Sequence, residues 1–141
     1  MTNFDLTAGY YKSNWPVECG GNRRQKIFDG SLNVKNKTHN LITKINNRWN
    51  VMFIQRDVDE LYLTGTMPNF IGDKPFGWVQ KLNPDNLEVM YESPNLECGD
   101  HIWCGAIAAH VNGTIINVNG SFMHILDTVS YTHLRAHETD Y

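Results

Sequence analysis

The chain has 141 residues, with 12 Lys+Arg against 15 Asp+Glu for a formal net charge of −3. That length fits one domain at most, and 41% hydrophobic with 19% charged residues can build a core, which excludes the disordered and fibrous classes. A balance this near neutrality, without a Lys/Arg block, excludes nucleic acid and membrane as expected partners, and no apolar run approaches the roughly 18 residues of a spanning helix.

Taken in chain order, Met1-Thr-Asn-Phe-Asp-Leu has neither a basic nor an apolar signal region, so a cytoplasmic location is the default expectation. Residues 25–32 and 40–45 read as strands on either side of a polar turn region, outer strands of a partial first sheet or a lead-in segment spanning residues 1–48. From Trp49 the pattern sharpens. WNVMFIQRDVDELYLTG, residues 49–65, lines up with WCGAIAAHVNGTIINVNG, residues 103–120: a Trp, an apolar stretch, a polar turn, then an alternating strand ending in Gly. Asn112-Gly113 between apolar runs is a hairpin signal, because both turn positions need positive φ. Further on, Trp78-Val-Gln-Lys-Leu-Asn83 matches Phe122-Met-His-Ile-Leu-Asp127. The spacing falls from 54 to 44 residues between the two matches, which places a ten-residue insertion at residues 67–76, MPNFIGDKPF, a loop by its Pro and Gly. After a turn at residues 83–86, residues 87–92 read as a fourth strand with Val89 and Tyr91 on one face. No window of 11 residues keeps a helical apolar period without a break.

A four-stranded antiparallel unit of about 45 residues is the pattern of a β-propeller blade. The expected fold is therefore all-β, with about two and a half four-stranded blades of an incomplete propeller. Residues 49–92 make a full blade and residues 93–127 an incomplete one. Leu82-Asn-Pro-Asp-Asn-Leu-Glu-Val-Met-Tyr91 resembles the repeats of quinoprotein-like propellers, in which a strand ends in Leu-Asp-Pro and a turn leads to an aromatic. It departs from them at Leu87, where those repeats carry Gly, and at Tyr91, where they carry Trp. The resemblance implies the fold and does not carry bound pyrroloquinoline quinone with it, so the cofactor stays unknown.

Residues 129–139, VSYTHLRAHET, resemble one reading frame of a transposase adapter used in preparing DNA sequencing libraries. The expectation is that residues 128–141 are foreign to the fold and make no defined structure, that the second blade ends after its third strand, and that the missing blades of a longer chain are its natural partners. His133 and His137, four apart, would be a metal pair only if the tail were native and helical.

On the propeller plan, residues 67–76 and 93–103 emerge on one face, the default place for a ligand. Asp73 and Lys74 in the insertion and His101 and Trp103 in the second loop are the polar and aromatic candidates there. Arg23 and Arg24 follow a Gly-rich turn and could hold a carboxylate or phosphate, and Glu18-Cys19-Gly20 echoes Glu97-Cys98-Gly99, which would bring the Arg pair to the same face. Trp49 and Trp103 occupy matching positions and read as packing between blades, with substrate stacking the alternative for Trp103. Cys98, His101 and Cys104 within seven residues leave open a zinc site, a Cys98–Cys104 disulfide, or two partly buried thiols beside a surface His; no metal site is assigned. His110 ends a strand near the opposite face. There is no Gly-x-Ser-x-Gly, P-loop or GxGxxG motif. The expected function is binding of a small polar or anionic ligand at the mouth of the axial channel, whether or not chemistry follows, against a non-catalytic scaffold for protein–protein interaction.

Overall fold

The computed structural model describes residues 9–13, 15–20, 42–46, 48–68, 74–128 and 133–138. They form two antiparallel sheets. The first contains β1 (Trp49–Asp57), β2 (Glu60–Met67), β3 (Phe76–Leu82) and β4 (Val89–Glu92) in that order, with the short β5 (Leu96–Glu97) also pairing with β3. The second contains β6 (Cys104–Ala109), β7 (Ile115–Asn119), β8 (Phe122–Leu126) and β9 (His133–Glu138), again in chain order. A 3-10 turn at Glu18–Gly20 is the one helical element among the described residues. The all-β expectation therefore holds at the level of fold class.

Turn chemistry sets the hairpins. Asn112-Gly113 does close β6 onto β7, but not with positive φ at both positions: only Gly113 has it (φ 92°), the Gly113 N–H bonds to the His110 carbonyl and the His110 N–H to the Thr114 carbonyl, and Asn112 Oδ1 accepts hydrogen bonds from the Thr114 N–H (3.1 Å) and hydroxyl (2.8 Å). The loop between β3 and β4 is longer than expected: Asn83 N–H bonds to the Glu88 carbonyl and Leu87 N–H to that of Asn83, so Leu87 and Glu88 belong to the turn and the strand starts at Val89. A register shift between Lys81 and Leu82 also breaks the simple alternation of Val89 and Tyr91.

The sheets stack face to face. Ile54, Tyr62 and Val79 of the first meet Ile107, Ala109, Ile115 and Leu126 of the second, with Leu96 sealing the joint. β1 lies over β6 and β3 over β7. Trp15 and Val17, two residues apart, make antiparallel bridges to Gln55 in β1 and to Ala108 in β6, so those two strands run in the same sense. Equal order and equal sense mean that the sheets are related by a shift along the stacking direction. The face of the first sheet that looks inward is thus the counterpart of the face of the second that looks outward.

Polar side chains cross this interface. Asn117 Nδ2 donates to Thr64 Oγ1 (2.9 Å) and to the Ala106 carbonyl (3.1 Å), Thr64 Oγ1 donates to the Trp78 carbonyl (2.8 Å), and Asn119 Nδ2 donates to Asn117 Oδ1. All of these side chains are fully buried, and these bonds offset part of the cost of their desolvation. Asn119 fits because Gly77 lies opposite it: a Cβ at Gly77 would fall 2.2 Å from the Asn119 amide carbon.

Three expectations need correction. His133–Glu138 is not structureless; it pairs antiparallel with β8, from Phe122↔Glu138 to Leu126↔His133, and gives the second sheet a fourth strand. An open edge presents a row of unpaired N–H and C=O groups that any extended segment following it can fill. Residues 42–45 are described without strand, while residues 25–32 lie outside the described residues. Finally, the segment after β4 is not wholly loop, since Leu96 and Glu97 pair with Gly77 and Phe76.

Candidate functional site

The β2–β3 loop, the connection between the sheets and the β7–β8 turn all emerge at one end of the stack. Lys74, Pro75 and Phe76 from the first, residues 95–100 from the second and Phe122 from the third line a cleft of about 370 Å³. Its wall is fixed by backbone pairing. β5 is held on β3, and the Glu97 carbonyl lies 2.7 Å from His124 Nε2; because a carbonyl only accepts, that nitrogen carries the proton. His124 is fully buried and stacks on Phe122 at 6.2 Å, so the aromatic side of the cleft and its backbone wall brace one another. The Ser121 N–H to Cys98 carbonyl and Gly120 N–H to Trp103 carbonyl bonds tie the connecting loop to the β7–β8 turn.

The floor is apolar, with Phe76 and Phe122 half-buried and Leu96 and Cys98 buried. The rim is polar, made by Lys74, Asn95, Glu97 and Asp100, all exposed. Cys98 is a free thiol whose pKa burial pushes up, so it stays protonated at neutral pH and is a poor nucleophile. Being free, it forms no bridge to Cys104. No group of three His, Cys, Asp or Glu side chains among the described residues is placed to hold a metal ion. The arrangement can cover an apolar portion of a small molecule and offer hydrogen bonds and charge at its edge.

Of the residues expected here, Lys74 lines the cleft. His101 and Trp103 follow it on the connecting loop, both exposed. Trp103 is 69% and Trp49 51% exposed, so neither is the packed inter-sheet residue the sequence suggested. Arg23, Arg24 and Asp73 lie outside the described residues. Phe122, Asn95 and Asp100 are members the sequence reading missed as ligand contacts. For Phe122 the signal was the turn Gly120-Ser121 just before it, which brings the start of β8 to this end.

The opposite end, where His110 sits as expected, is closed by charge. Arg56 Nε meets Glu60 Oε2, Lys81 Nζ meets Glu60 Oε1 at 2.8 Å, and Arg56 Nη1 reaches across to the Gly113 carbonyl and to Thr128 Oγ1 (2.8 Å) in the second sheet. Tyr11 lies under the Arg56 guanidinium at 5.0 Å. Burial pushes the Glu60 carboxyl up, but the hydrogen bonds and charges of Lys81 and Arg56 outweigh it and hold the group below the usual carboxylate range. Burial likewise opposes the charge of Arg56, and the bond and charge of Glu60 outweigh it, holding that pKa above its ordinary value.

Comparison of the chain with protein families, with curated proteins and with solved structures gives no match.

Proposed function

We propose that this chain is part of a β-propeller and that its cleft binds a small polar ligand at the loop end of the sheet stack. The observation that carries the ligand reading is the cleft itself: two loops that the sequence marks as irregular meet there over a partly aromatic floor with an exposed polar rim.

Three features support the propeller reading. The two sheets share strand order and sense. Their ladders also keep the same register, since Ile54↔Tyr62 corresponds to Ala108↔Ile116 at a spacing of 54 residues, and Gln80↔Glu92 to His124↔Ala136 at a spacing of 44. This register puts Asn119, one residue earlier than the string match, in the place of Gly65. The third feature is Leu87, whose φ of 58° lies in the left-handed region that favours glycine, at the position where quinoprotein-like repeats carry Gly.

The test is a titration of the protein, followed by NMR chemical shifts, with small anions, amines and zwitterions. A binder is expected to shift residues 95–100 and 122 saturably and to lose affinity at least fivefold in Lys74→Ala or Asp100→Ala, whereas Val58→Ser at the far end leaves it unchanged. Saturable shifts confined to other regions, or none across the panel, would remove this reading. The rival scaffold reading is favoured by Trp49, Phe53 and Trp103, each more than half exposed. In that case those aromatics, and not the cleft, would lose exposure on adding a partner.

A further inference from the structure

The charges around the cleft do not balance. Glu97 and Asp100 bring two carboxylates to it and Lys74 one ammonium, which leaves one negative charge in excess, and Cys98 below them is a neutral thiol. The ion pairs of the described residues are Lys44–Glu88, Arg48–Glu92 and the two on Glu60, so none of them neutralises either carboxylate of the cleft. Each carboxylate also stands beside a phenyl ring. Glu97 is the cross-strand partner of Phe76, which puts the two side chains on one face of the sheet with their Cβ atoms about 5 Å apart. Asp100 follows Gly99, and Gly99 runs so close against Phe122 that a Cβ there would lie 3.5 Å from the ring. The backbone does not offset the excess, because the N–H groups of Gly120 and Ser121 are bonded to the Trp103 and Cys98 carbonyls and so are not free for an anion.

We propose that the ligand of the cleft is an organic cation: an ammonium group carried on a small aryl or alkyl body. The proposal rests on the reading of the cleft as a ligand site and names the class of molecule it takes. An ammonium ion is attracted both to a carboxylate and to the face of a phenyl ring, and here each carboxylate comes with such a ring. Its apolar body has Leu96 and the two half-buried Phe side chains to cover. A carboxylate or phosphate would find Lys74 as its one charged partner and face two like charges across the cleft.

Probes that share one apolar body separate charge from shape. 2-Phenylethylammonium, 2-phenylethanol and phenylacetate are each titrated into the full chain at neutral pH, followed by the amide shifts of residues 95–100 and 122. The ammonium should bind saturably and about tenfold more tightly than phenylacetate, with the alcohol between them, and raising the ionic strength from about 20 to about 300 mM should weaken the ammonium but not the alcohol. Of the two rim substitutions, the loss of affinity should fall on Asp100→Ala. Lys74→Ala removes a like charge and should tighten the ammonium about twofold. Glu97→Gln combined with Asp100→Ala should abolish the preference for the cation. Phenylacetate or the alcohol binding as tightly as the ammonium, a preference that survives the double substitution, or a Lys74→Ala that weakens the ammonium would each overturn the cation and leave the cleft a ligand site. Silence of these residues towards all three probes also overturns the cation; silence towards the wider panel of anions, amines and zwitterions removes the ligand reading beneath it as well.

Discussion

The two ends of the sheet stack use similar polar residues to opposite ends. At the end of the β1–β2 and β6–β7 turns, Arg56, Glu60 and Lys81 satisfy one another and reach across to Gly113 and Thr128, binding the sheets together. At the other end Lys74, Glu97 and Asp100 stand exposed around a cleft. The difference lies in burial and pairing. A charge network that is partly desolvated and closed on itself contributes to stability, whereas exposed charges left without mutual contacts contribute little to the fold and remain available to something else.

Breaking the closed end should have the largest effect. Arg56→Ala removes the bonds from the first sheet to Gly113 and Thr128 and leaves Glu60 with Lys81 alone. It should cost about 2–3 kcal/mol in denaturant unfolding, because a partly buried carboxylate loses one of its two cationic partners and the bonds between the sheets go with it. Acid should act on the same network reversibly. The Glu60 carboxyl is held low in the folded protein, so its contribution is fully present above the unfolded-state pKa of an ordinary Glu and fades as pH falls through the lower folded value. Thermal midpoints should therefore drop on acidification below the ordinary carboxylate range, and the drop should be visibly smaller in Glu60→Gln.

A third change sharpens the comparison by improving the closed end. Leu87 holds a φ of 58° in the turn beside it, at a cost to a side-chain-bearing residue of roughly 1–2 kcal/mol. Leu87→Gly should accordingly raise stability by about 1 kcal/mol, part of the relief being returned as extra freedom of the unfolded chain. The smallest effect belongs to the open end. Asp100→Ala and Lys74→Ala should each move stability by less than about 0.5 kcal/mol, so that any change they make to ligand affinity can be read without a folding correction.

Much of this architecture was legible in the sequence. Asn112-Gly113, the Trp-to-Gly strings and the Pro-bearing insertion carry local chemistry that dictates hairpins and loops, and the two sheets appeared where those signals stood. The cleft was half legible. That the 67–76 loop and the connection after β4 would share an end followed from the expected topology, but which side chains would line it did not. Trp103 is apolar and in register with Trp49, yet it sits where the chain leaves the sheet, and no periodicity reports that. Asn117 and Asn119 show the reverse case. Two Asn at alternating positions in an otherwise apolar strand look like an outward face; the hydroxyl of Thr64 and the missing Cβ of Gly77, both distant in sequence, turn them inward.

The short stretch around Trp15 and Val17 has a further consequence, for the order of events as the chain is made. It bonds to the free edges of both sheets: Gln55 N–H donates to the Trp15 carbonyl, Ala109 N–H to that of Pro16, and Tyr11 N–H to that of Ala109. Its partners in the second sheet lie more than 90 residues downstream. During synthesis this early segment can therefore meet Gln55 as the first sheet forms, but locks against the second only after Ala109 has emerged. Loop closure over that span is slow to find, and the same contacts are among the first to open when the two sheets part. Amide exchange at Tyr11 and Ala109 should consequently report separation of the sheets, while exchange within β2 and β3 reports the melting of a sheet itself.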